Sequence, residues 1–104
     1  MRRQMLVRSR MLVTVTPPEQ SEAAMRELQS AIDTLQTDEG DHQFLKAEVA
    51  GARRAGRMYI IFDIELDSVN EAGRVSKKAA EEIFATIDSP DYTLEAGSHF
   101  VIPV

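Results

Sequence analysis

Polar and apolar positions alternate over residues 11–16, with Val13 and Val15 on one side of an extended segment and Leu12 and Thr14 on the other. The pattern predicts a first strand over these residues, with a start as early as Met5. The period then changes. Ala24, Leu28, Ala31, Ile32 and Leu35 recur at spacings of three and four, one stripe of a helix over residues 17–36. Thr16-Pro17-Pro18-Glu19 has capping-box spacing with proline at the first helical position, so the helix is expected to open there. The acidic, Gly-containing segment 37-TDEGDH-42 ends the stripe in a loop.

Alternation returns over residues 43–50, where Leu45, Ala47 and Val49 oppose Phe44, Lys46 and Glu48. It recurs over residues 57–66, where Ile60, Phe62, Ile64 and Leu66 oppose Tyr59, Ile61, Asp63 and Glu65. The short Gly-bounded link 51-GARRAGR-57 makes these two strands a hairpin. Ser68 and Glu71 repeat the capping-box spacing ahead of a second helical stripe, Ala72, Val75, Ala79, Ile83 and Ile87, which ends before Pro90. A last strand is expected from residue 91 or 92 to about 102. Leu94, Phe100 and Ile102 lie on its core face, His99 and Val101 on the other, and Gly97 marks a bulge.

The order strand, helix, strand, strand, helix, strand predicts an α+β fold, the ferredoxin-like βαββαβ sandwich. Two helices cover one face of a four-stranded antiparallel sheet ordered 4-1-3-2. A chain of 104 residues suits one domain over residues 11–104, with residues 1–10 a basic arm or the start of strand one. Hydrophobic residues at 43% and charged residues at 28% indicate a globular chain, and the lack of Trp implies an aliphatic core. With no cysteine, disulfides, thiolate metal sites and thiol nucleophiles are excluded, and a reducing cytoplasm is the expected compartment. No apolar run reaches the roughly 20 residues of a membrane span, so no membrane association is expected.

If helices cover one sheet face, the other meets water or a partner. On it the phasing places Leu12, Tyr59, Ile61 and Val101 as an apolar centre, with Arg8, Arg10, Asp63, Glu65 and His99 around it. Such a patch on a small domain marks association. Arg8 and Arg10 of one copy facing Asp63 and Glu65 of another would make the contact self-complementary about a two-fold axis.

Net charge is −5, yet residues 1–10 hold four arginines and no acid, and residues 51–57 hold Arg53, Arg54 and Arg57. The topology sends these basic segments to opposite poles, which argues against one nucleic-acid footprint. RNA-binding domains of this topology stack bases on aromatics of strands one and three; here Ile61 stands where a second aromatic is wanted, and Asp63 and Glu65 repel phosphate. The arginines of the hairpin are expected to be solvated and locally neutralised, with anion or nucleic-acid contact the minor reading.

No catalytic constellation, metal motif or cofactor motif is present. His42 lies in an acidic turn without calcium-loop order, and 51-GARRAG-56 lacks the Lys and Ser/Thr of a phosphate loop and opens a strand rather than a helix. The expected function is therefore a non-catalytic module for self-association, as a dimer, or for binding a protein partner. A small-molecule regulatory domain, resembling ACT-type domains by architecture only, is the alternative. An enzyme site enclosed between paired sheets is weaker still.

Overall fold

The computed structural model describes residues 5–37, 44–51 and 56–104. Strands β1 (Met5–Thr16) and β3 (Arg57–Leu66) form the middle of one sheet, with β2 (Phe44–Ala50) and β4 (Thr93–Pro103) at its edges. All neighbours are antiparallel and the order is β2-β3-β1-β4, which read from the opposite edge is 4-1-3-2. Helices α1 (Ser21–Thr37) and α2 (Val69–Thr86) pack on one face. The fold is thus α+β, with four antiparallel strands and two helices.

Burial follows strand parity. Val7, Val13 and Val15 of β1 and Met58, Ile60, Phe62 and Ile64 of β3 point into the helical layer and are essentially inaccessible. Leu28 and Ile32 of α1 and Ile83 of α2 meet them, while Ala24, Ala72 and Ala79 let the helix axes approach the sheet. Burying each large aliphatic side chain is worth about 1.5–3 kcal/mol, which makes this layer the main source of stability.

The start of α1 differs from expectation. Pro17 is extended (φ −77, ψ 155), a 3-10 turn spans Pro18–Gln20, and the α-helix opens only at Ser21. The reason is local: a residue before proline is pushed out of the α region, so Pro17, preceding Pro18, cannot be the first helical residue. Thr16 consequently makes no cap, and Ser21 Oγ instead donates to the Pro18 carbonyl at 2.6 Å. At α2 the expected serine cap forms: Ser68 Oγ accepts from the Glu71 amide at 3.1 Å, while the Glu71 carboxylate pairs with Arg74.

A second difference decides what the open face carries. On β4, Ala96 pairs with Val13 but His99 pairs with Met11, so three steps along β4 match two along β1. This bulge surrounds Gly97, as expected, but its extra residue reverses the parity of everything after it. His99 and Val101 therefore lie on the helical side, opposite Met11 and Ser9, and Phe100 and Ile102 lie on the open side, opposite Arg10 and Arg8. The expected placement of His99 and Val101 on the open face, and of Phe100 and Ile102 in the core, is corrected accordingly. A similar register shift in β2 lies between Phe44, paired with Ile64, and Lys46, paired with Asp63.

Candidate functional site

The face of the sheet away from the helices presents, on its two central strands, Leu12, Arg10 and Arg8 of β1 beside Tyr59, Ile61, Asp63 and Glu65 of β3. Arg8 and Asp63 are direct cross-strand partners. Arg8 Nε donates to Asp63 Oδ1 at 2.8 Å and Nη2 donates to Oδ2 at 3.1 Å, a two-pronged pair. The Asp63 side chain is only 11% exposed, and the hydrogen bonds from Arg8 hold its carboxyl below the usual range against the opposing effect of burial. The same contact raises the Arg8 guanidinium. This pair closes within one chain, so Asp63 is not left open for Arg8 or Arg10 of another copy.

Arg10, exposed, lays its guanidinium over the Tyr59 ring, 4.3 Å from the centroid, and has no ion pair among the described residues. Glu65 is likewise exposed and without an ion pair among them. Lys46 and Glu48 of β2 form a surface pair at 3.3 Å, which water screens. Toward β4 the face becomes apolar. Phe100 is 61% and Ile102 is 56% exposed, large values for side chains of this size. With Arg8, Arg10 and Tyr59 they line a groove of about 370 Å³. At the β4 bulge Gly97 brings the backbone onto Leu12, where an added Cβ would stand 3.2 Å from Leu12 Cδ2.

Of the residues that sequence alone assigns to this face, Leu12, Arg10, Tyr59, Ile61, Asp63 and Glu65 are brought together there, and Val101 and His99 are not. Phe100 and Ile102 are what the strand pattern missed. Counting one residue into the bulge at Gly97 would have placed them correctly. Arg57 is exposed at the start of β3, paired with Thr14. Arg53 and Arg54, and the acidic turn with His42, lie outside the described residues.

The helical side holds a polar cluster. His99 Nε2 lies 2.7 Å from Ser9 Oγ and 3.2 Å from Ser76 Oγ, and both serines are 1% exposed. Burial, and then Lys77, lower the His99 pKa from its ordinary value of 6.5, which favours the neutral ring. A histidine beside a hydroxyl has the ingredients of an activated nucleophile, but these hydroxyls are sealed from solvent, so the geometry ties β1, β4 and α2 together instead. Parity on β1 and the helical spacing of Ala72, Ser76 and Ala79 point both serines inward. Only the bulge hides that His99 joins them.

A second groove, about 450 Å³, runs between α1 and α2 over Leu35, Ile83 and Ile87, with Glu27 and Glu82 on its rims. Beside it the buried Tyr92 hydroxyl is pushed up to about 12, chiefly by burial and then by Glu27. It makes no hydrogen bond of ordinary geometry among the described residues. Among the described residues no cluster of three or more His, Asp or Glu side chains is arranged to hold a metal ion. No helix among them is long and apolar enough to cross a membrane. No protein-family model matches the chain, and no curated protein matches it in sequence.

Proposed function

We propose that this chain is a ferredoxin-like domain whose open sheet face associates with a second copy of itself, a non-catalytic self-association module. The observation that carries this reading is the exposure of Phe100 (61%) and Ile102 (56%) beside Tyr59 on a sheet face without a covering layer among the described residues. A second copy is favoured over an unlike partner because the face is self-complementary in charge. With Arg8 and Asp63 closed on each other, Arg10 and Glu65 remain, two residues to either side of that pair and on the same face. A two-fold axis crossing the Arg8–Asp63 rung carries each Arg10 toward Glu65 of the other copy, while Phe100 and Ile102 are covered. The cysteine-free composition favours a reducing compartment such as the cytoplasm.

Sedimentation and light scattering of Phe100→Asp and Ile61→Lys beside the parent chain test it. The parent is expected to be dimeric, and both variants monomeric with unchanged circular dichroism, because a charge is costly at the centre of a covered apolar patch and harmless where water reaches it. A parent chain that stays monomeric at its highest soluble concentration overturns the reading.

A further inference from the structure

The groove on the open face has the chemistry of a small-molecule site. Its cation is Arg10, whose guanidinium carbon lies over the Tyr59 ring, 4.3 Å from the centroid, a contact that holds the charged end against the ring and uses none of its N–H donors on a carboxylate. Its wall is apolar, formed by Phe100 and Ile102, and Arg8 beside it is already neutralised by Asp63. A volume of about 370 Å³ falls at the small end of the range for ligand pockets, roughly 300–1,000 Å³. Of the two guanidinium groups lining this groove only that of Arg10 is without an ion pair among the described residues, which in a chain of net charge −5 favours a monoanion over a phosphate dianion, and carboxylate geometry matches the guanidinium fork.

We propose that this groove binds a small amphipathic carboxylate, its carboxylate on the Arg10 guanidinium and its hydrocarbon body against Phe100 and Ile102. In the self-association reading the same guanidinium receives Glu65 of the second copy, so ligand and second copy compete, and this competition alone rests on that reading. The inter-helix groove is the larger of the two, but its rims carry Glu27 and Glu82, and the described residues that line it include no cation for a carboxylate.

The test is a titration with octanoate, followed by backbone amide NMR on dilute chain at constant ionic strength, with octanol and octylammonium as controls. Octanoate should saturate with a dissociation constant of about 1 mM or tighter and shift the amides around Arg10, Tyr59, Phe100 and Ile102. Octanol should bind more weakly and octylammonium should not shift these amides. Arg10→Gln should weaken octanoate roughly ten- to a hundredfold, the loss of a charge-assisted contact, and Arg10→Lys should lie between, keeping the charge without the flat fork. Equal affinity for octanoate and octanol, an Arg10→Gln variant that binds as the parent does, or no saturation overturns the proposal. Sedimentation in the same samples separates the two readings. Octanoate binding to a chain that never dimerises overturns self-association and leaves the ligand site standing. A dimer that does not bind octanoate overturns the ligand site alone, and a dimer that binds octanoate without dissociating overturns the competition.

Discussion

His99, hydrogen-bonded to Ser9 on β1 and Ser76 on α2, is held toward its neutral form first by burial and then by the cation of Lys77. Its folded pKa lies below the 6.5 of the unfolded chain, so over that interval the unfolded state binds more protons and stability rises with pH. The contribution is fully present above 6.5 and is lost as pH falls through the depressed folded value. Urea midpoints across this range should therefore decline for the parent, while His99→Gln, which keeps a hydrogen-bonding group without the titration, should be flatter. Asp63 acts in a separate window, its contribution present above the ordinary 3.8 and lost only as pH falls through its lowered value. Equal slopes for parent and His99→Gln over this range would show that His99 does not carry this pH dependence. Removing one serine is a milder change: Ser9→Ala leaves Ser76 on the ring and should cost about 1 kcal/mol.

β1 and β3 were legible from alternation because each is a central strand whose pairing with the other runs in continuous register, so every second residue really does face the helices. β4 was not, although Gly97 marked the bulge, because a glycine shows where a strand is interrupted and not how many residues the interruption absorbs. Apolar character misled further: Phe100 and Ile102 look like core residues, and only the register places them outside. The candidate face was therefore legible where the central strands supply it and inverted where the edge strand does. Two glycines at these joins should respond differently to a methyl group. Gly56 has φ +68, its carbonyl accepts from the Val15 amide at 2.6 Å, and an added Cβ would stand 2.8 Å from the backbone oxygen of Val15. Gly56→Ala should thus lose more than the roughly 1–2 kcal/mol of the left-handed penalty alone. Gly97→Ala meets the mobile end of Leu12 at 3.2 Å and should stay within about 1 kcal/mol of the parent in urea denaturation. Similar losses at the two sites would mean that the hairpin end is not clasped to β1 in this way.

Two copies of a chain of net charge −5 repel each other at long range, so association through the open face depends on apolar burial and on local charge order rather than on overall attraction. Arg8, the most obvious candidate for a bond across the interface, is consumed by Asp63 within its own chain. What remains is a short, directional pattern: a cation at Arg10 and an anion at Glu65 on the same face, two residues either side of the closed pair. A charge swap reads this pattern directly. Arg10→Glu should weaken the dimer, because two acids then meet where Arg10 met Glu65, and Glu65→Arg should do so by setting two guanidinium groups together; each single change is expected to cost about tenfold or more in dimer affinity. Combined in one chain, the two changes restore opposite charges with reversed polarity and should recover most of the loss, since residues in contact depart from additivity. Sedimentation equilibrium on the four proteins measures this coupling. Losses that simply add in the double variant would show that Arg10 and Glu65 do not meet across the two-fold axis, and would shift the association from the open face to the exposed edges of β2 or β4, where unpaired backbone groups offer the other route to a second copy.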